Sequence, residues 1–220
     1  EAAIRAAAKV LRVQGRVLPV STESTDLVAT YSDGIDVVGE HEIDEPSKER
    51  LGHHIADLTI SPKVTAHTRA IEAIQEADLV LLGPGDLYTS VLANVVVPGI
   101  ETALCDTTAK LVYVTNLMTK QGQTNGMGVA EHVEELGKYI GRKPDAVVIN
   151  VTPLPTELLS IYAEEEEFPV EFNYESDDVT FVPADLLASE QVVTKAGDAL
   201  KRSLIRHDSD KLARTIVKLQ

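Results

Sequence analysis

Two glycine-rich stretches hold residues whose types and spacing suit ligand recognition. The first is Gly83-Pro84-Gly85-Asp86-Leu87-Tyr88-Thr89-Ser90, directly after the apolar run Leu79–Leu82. Its glycines let the backbone approach a ligand closely. The hydroxyls of Thr89 and Ser90 suit either the cap of a following helix or a phosphate oxygen. A plain strand-to-helix turn fits the same spacing. The second stretch is Asn116–Gly128, NLMTKQGQTNGMG. Thirteen residues is long for a strand-to-helix connection, and long connections are more often functional. At its start the Asn116 amide suits the edge of a base or sugar, or a tie within its own loop.

No ordinary catalytic constellation accompanies these loops. The sequence contains no G-x-x-x-x-G-K-[ST], no G-x-G-x-x-G and no G-x-S-x-G. Its six histidines, His41, His53, His54, His67, His132 and His207, fall in no recognised metal spacing. His132 borders an apolar helix face and reads as a hydrogen-bonded histidine at the edge of the core. Glu164–Glu167 reads as a solvated face or turn. No catalytic residue and no metal ligand is therefore assigned.

Something must position these loops. Leu79–Leu82, Leu111–Val114 and Ala146–Ile149 are continuous apolar runs, as expected of strands buried on both faces of a parallel sheet. Val129, Val133, Leu136 and Ile140 mark a helix between the second and third, opened by Gly126 and Gly128 and closed by Gly141. The repeated strand–loop–helix–strand order predicts an α/β, doubly wound sheet, with ligands beyond the strands' carboxyl ends. Upstream, Ile4, Ala7, Ala8 and Leu11 predict a helix ended by Gly15. Arg16–Val20 reads as a short strand. Leu27–Tyr31 and Ile35–Val38 flank Ser32-Asp33-Gly34 as a hairpin. Glu40–His54 reads as an exposed excursion. Leu58–Ile60 reads as a strand, followed by Ser61-Pro62 as a helix start and a helix to about Glu76. Downstream, Val170–Phe172 and Val179–Val182 read as strands, and Leu212, Ile216 and Leu219 as the last helix. The simplest organisation is one α/β domain over 1–220, with a small hairpin and loop excursion around 27–57.

Composition narrows the function classes. The 220 residues carry a net charge of −15, which repels nucleic acid and anionic lipid surfaces. Three Phe, six Tyr and no Trp leave little for stacking on single strands. No run of about 18 apolar residues is present, so no membrane insertion is expected. Cys105 is the single cysteine and suits a reducing compartment. A small phosphorylated ligand remains compatible, because backbone N–H groups hold an anion locally.

GPGDLYTSVLANVVVPGI and VYVTNLMTKQGQTNGMGVAEHV resemble the paired motifs of the gluconeogenesis factor (YvcK-like) family, relatives of the 2-phospho-L-lactate transferases called CofD. RVLP at Arg16–Pro19 and LIRHD at Leu204–Asp208 agree, so the resemblance runs along nearly the whole chain. It implies a Rossmann-like, three-layer α/β fold and a cytoplasmic bacterial protein tied to cell shape and wall synthesis on gluconeogenic carbon sources. It also implies binding of a UDP-sugar or other nucleotide diphosphate, without an assigned reaction. The alternative is a CofD-like transferase moving a phospholactyl group from a guanosine diphosphate carrier to a deazaflavin with Mg2+. An interaction scaffold is a third reading, and a homo-oligomer is left open.

The expected ligand contacts are Gly83, Gly85, Asp86, Tyr88, Thr89, Ser90, Asn116, Thr119 and Arg206. Arg206 enters through LIRHD, since a guanidinium fork matches two diphosphate oxygens; the other reading of Arg206 is an ion pair to Asp208 or Asp210. Three departures stand out. The family's opening Gly-rich phosphate loop is absent, and with the mid-helix character at Glu1 this predicts a segment upstream. Asp86 stands where the first loop usually has Ser, a carboxylate unfavourable beside phosphate unless a cation bridges it. Lys120, Gln121 and Gln123 stand where the second loop usually has Gln, Pro and Glu.

Overall fold

The computed structural model describes residues 2–174, 177–189 and 203–220. A parallel sheet carries the architecture. Strands β4 (Leu79–Leu82), β5 (Lys110–Val114), β6 (Ala146–Asn150) and β7 (Thr180–Ala184) lie in that spatial order, each parallel to the next. The first three coincide with the three apolar runs. Their side chains alternate between two buried faces, as strand periodicity requires. Leu111, Tyr113, Val147 and Ile149 join one apolar cluster, and Val112, Val114, Ala146 and Val148 join another. Helices α3 (Thr68–Gln75), α5 (Ile100–Asp106) and α6 (Val129–Ile140) send residues into the first cluster. Helix α8 (Ser209–Val217) covers the second with Leu212 and Ile216. The result is helix, sheet and helix in three layers, a Rossmann-like α/β fold.

A smaller antiparallel sheet precedes it. β1 (Asp26–Tyr31) pairs with β2 (Asp36–Val38) across the predicted turn and with β3 (Ile55–Ser61) on its other side. Ala29, Tyr31 and Ile60 belong to the same apolar cluster as Tyr113 and Leu136, so the two sheets share a core.

Several local expectations are corrected. Helix α1 (Ala2–Val10) ends before Gly15, where Arg12 turns to φ +52°, and it buries no side chain. Glu1 lies outside the described residues. Arg16–Pro19 joins no ladder; Pro19 has no N–H to donate, and the stretch is anchored by His67 N–H donating to the Val20 carbonyl. Ser61 pairs with Asp26 as the last residue of β3, so no helix starts there; α3 begins six residues beyond Pro62, capped by His67 Nδ1 accepting from Arg69 N–H. Glu40–His54 is not wholly exposed. Its first residues form α2 (Glu40–Asp44), whose Ile43 is completely buried. Val170–Phe172 is a cover segment rather than a strand: Val170 N–H donates to the Leu117 carbonyl and the Glu171 carbonyl accepts from Val129 N–H. Helices α4 (Ala93–Val95) and α7 (Thr156–Glu164) are the other α-helices among the described residues. Among the described residues no single helix is long and apolar enough to cross a membrane.

Candidate functional site

β4 and β5 run in the same direction, so the loops leaving them emerge at one end of the sheet. Both line one open cleft of about 1130 Å³. Small-molecule sites commonly occupy roughly 300–1,000 Å³, so there is room for a nucleotide with a further group attached. A second hollow of about 280 Å³ adjoins it and shares Asn116 and Leu117.

Gly83 makes the first loop possible. It sits at φ +79°, and a Cβ there would lie 3.0 Å from the Val114 carbonyl oxygen. Gly83 thus shapes the turn without lining the cleft, whereas Gly85 and Asp86 line it. The chain then enters a π-helical turn, Leu87–Leu92, in which neither Thr89 nor Ser90 is the cap. Burial of Leu87, Val91 and Leu92 sets the rotation of this turn and carries its polar neighbours inward. Tyr88 is 3% exposed and bonded to Glu135 of α6; burial raises its pKa. Thr89 is buried and donates to Asp44 Oδ1 at 3.0 Å. Ser90 is exposed. Tyr88, Thr89 and Ser90 therefore do not line the cleft, and Thr89 reaches it only through Asp44.

The second loop is pinned from two sides. Thr119 N–H donates to the Phe168 carbonyl at 2.7 Å, and its Oγ1 accepts from Phe168 N–H at 2.9 Å. On the other side Gln123 Nε2 donates to the Ile43 carbonyl of α2 at 3.3 Å. Asn116 and Thr119 both line the cleft, and Asn116 Oδ1 is buried with no protein partner among the described residues. An unpaired buried acceptor is costly unless a ligand or water donates to it.

A third wall comes from the segment before α8. Tyr162 of α7 accepts through its hydroxyl from Leu204 N–H at 2.9 Å and Ile205 N–H at 3.3 Å. Ala188 N–H donates to the Arg206 carbonyl, and Asp208 N–H to the Leu186 carbonyl. This holds Arg206 on the cleft wall, exposed, with Nε donating to the Ser203 carbonyl. Among the described residues no ion pair joins Arg206 to Asp208 or Asp210. The Asp208 carboxylate instead caps α8, accepting from Asp210 and Lys211 N–H. His207 also lines the cleft. It bonds to the Thr115 carbonyl and leaves Nε2 buried with no partner among the described residues; burial holds its pKa below the usual imidazole range.

The strongest electrostatic feature was not singled out as a contact set by the sequence. Lys120 Nζ donates to Asp44 Oδ1 and, at 3.0 Å, to Asp86 Oδ2. All three line the cleft. Burial raises the Asp44 pKa, but the bonds and charge of Lys120, with Thr89 and Gln123, outweigh it and hold the carboxyl below its ordinary value. Burial likewise works against the charged Lys120, and the two carboxylates raise its pKa despite it. Asp86 and Lys120 were the two charged departures from the usual loop patterns. They compensate each other, Lys120 being the cation that makes Asp86 tolerable. Asp44 carried no signal beyond the apolar Ile43 before it, and Tyr162 none at all; His207 stood beside Arg206.

No group of three or more His, Cys, Asp or Glu side chains among the described residues is placed to hold a metal. Asp44 and Asp86 are joined through Lys120 instead. The donor set does not form a protein-only Mg2+ cage among the described residues.

An open parallel sheet whose loops converge on a cleft beyond the strand ends defines a Rossmann-like α/β protein. The family model described as 2-phospho-L-lactate transferase CofD matches residues 1–187, and the chain belongs to that family. The chain is similar to the "Gluconeogenesis factor" of Bacillus subtilis, with 35% identity covering 99% of this chain and 65% of that protein. A Thermotoga maritima relative under a provisional form of the same name is 37% identical, over 99% of this chain and 66% of its own length. A crystal structure of a UPF0052-family member from Bacillus halodurans superposes with a TM-score of 0.81 and 29% identity, covering 97% of this chain and 64% of that one. The chain thus spans just under two thirds of the length of these relatives.

Proposed function

We propose that the cleft binds a nucleotide diphosphate sugar of the UDP-sugar class. The protein is then a ligand-responsive regulator of the gluconeogenesis factor kind, acting in the cytoplasm on cell shape and wall synthesis during growth on gluconeogenic carbon. One observation carries the reading. The Gly83–Asp86 loop, the Asn116–Lys120 stretch and Arg206 come from three separate parts of the chain and meet on one cleft, with an unsatisfied acceptor, Asn116 Oδ1, buried in it. Arg206 supplies the cationic fork suited to a diphosphate, and Asn116 a polar group suited to a base or sugar edge. The CofD match favours a second reading, phospholactyl transfer from a GDP-linked donor to a deazaflavin.

Thermal denaturation of the full chain separates the two. A ligand at about 100 times its Kd adds roughly 2.7 kcal/mol to a protein it binds only when folded. For a chain of this size that raises Tm by roughly 5–10 °C. UDP-sugars are expected to give the shift, with GDP and deazaflavin giving none. A shift with GDP and deazaflavin alone would select the transferase reading.

A further inference from the structure

We infer that the Asp44–Lys120–Asp86 triad is the sugar-reading end of the cleft and sets its preference for a polyhydroxylated ligand over the bare nucleotide. The inference rests on the nucleotide-sugar reading above. Lys120 is bound by two carboxylates, so the triad carries a net charge of −1 and has no uncommitted cation for a phosphate. An ionised carboxylate only accepts hydrogen bonds, at about four lone-pair sites. Lys120, Thr89 and Gln123 occupy sites on Asp44. On Asp86, Lys120 is the side-chain partner, and the Asp86 side chain remains 38% exposed in the cleft. What can use the remaining acceptors is a surface rich in O–H donors. A phosphate oxygen is itself an acceptor and meets net repulsion from the triad's charge, whereas sugar hydroxyls donate to the carboxylates.

The wall built by the segment before α8 has the complementary character. Arg206 is exposed on the same cleft, and no ion pair among the described residues engages it. The cleft is therefore polarised, with Arg206 as the anion pole and the triad as the polyol pole. The triad is also preorganised. Its three members come from α2 and the two ligand loops, and Thr89 and Gln123 fix Asp44 from behind. A ligand entering this end meets donors and acceptors already in place, with little ordering cost.

The test compares UDP with UDP-glucose by calorimetric titration of the full chain, reading the ratio of the two Kd values. Asp86→Asn keeps size and lies at the exposed end of the triad; Asp44→Asn serves as the second variant. Each is expected to lower the preference for UDP-glucose over UDP about tenfold, the scale of a charge-assisted hydrogen bond. Arg206→Ala is expected to weaken both ligands and leave their ratio unchanged. If both Asp variants change the two affinities equally, the triad faces the phosphates and the inference is overturned. If the unaltered protein binds UDP but gains nothing from the glucose, the nucleotide site stands and the sugar-reading role falls. If it binds neither, the nucleotide-sugar reading falls and takes the triad's role with it.

Discussion

Arg206 concentrates the residue-scale argument. In a chain with 35 acidic and 20 basic residues, an exposed cation on a cleft wall would be neutralised by a neighbouring carboxylate unless the backbone held it elsewhere. Here the neighbour, Asp208, is occupied at the N-terminus of α8, and Tyr162 and Ala188 anchor the segment around Arg206. If Arg206 meets a diphosphate, Arg206→Ala costs about 1.5–3 kcal/mol of UDP-sugar affinity, the worth of hydrogen bonds to a charged group. Arg206→Lys restores part of that, since an ammonium lacks the fork. Because the side chain is exposed, the ligand-free Tm should hardly change. Calorimetric titration and a thermal melt of each variant check this; a variant that melts early yet binds normally would make Arg206 structural.

At the scale of elements, the loop geometry depends on how strands end. β4 stops at Leu82 because the next residue adopts a left-handed conformation, and the chain turns across the end of β5. Gly83→Ala places a Cβ 3.0 Å from the Val114 carbonyl oxygen at φ +79°. The conformation alone costs about 1–2 kcal/mol in a residue with a side chain, a fall in Tm of roughly 2–8 °C. Thermal melts of G83A against the unaltered protein check this, and equal melting temperatures would show that the turn tolerates another path. The second loop behaves differently. It is held by α2 and by the 168–170 segment as well as by its own glycines, Gly122 at φ +75° and Gly126 at φ +68°, which is why so long a connection keeps a defined shape.

For the whole molecule, the shared core sets the dependence on pH. His132 of α6 is fully buried, stacked on Tyr113 at 6.4 Å, with Nδ1 2.7 Å from the Gly128 carbonyl. A carbonyl only accepts, so Nδ1 carries the proton, and Nε2 is buried with no partner among the described residues. Burial holds the pKa of His132 below the usual imidazole range, as it does for His207. The folded protein therefore takes up fewer protons than the unfolded chain below about pH 6.5. The stabilisation is fully present above that pH and is lost as pH falls through it. Between pH 7.5 and 5.5 His132 alone accounts for a loss of at most about 1 kcal/mol. Urea denaturation at both pH values should show this loss, and His132→Leu should reduce it. An equal loss in both proteins would assign the proton uptake to other groups.

What the sequence determined by itself was whatever depends on local periodicity. Three apolar runs, a helix of spacing four, three and four, and glycines at their ends were enough for a parallel α/β sheet and for the end of it where loops gather. The loops around Gly83 and Asn116 were legible from their glycines and length, and Asp86 and Lys120 stood out as oddities only through the family resemblance. Tertiary structure decided what periodicity does not encode. Whether Tyr88 and Thr89 face a ligand depends on how a π-helical turn rotates to bury Leu87 and Leu92. Whether Glu40–Asp44 matters depends on Ile43 finding the core and bringing Asp44 to a lysine 76 residues away. Pairing between distant charges is set by packing, because a carboxylate and an ammonium become partners only once buried apolar neighbours have fixed the distance between them.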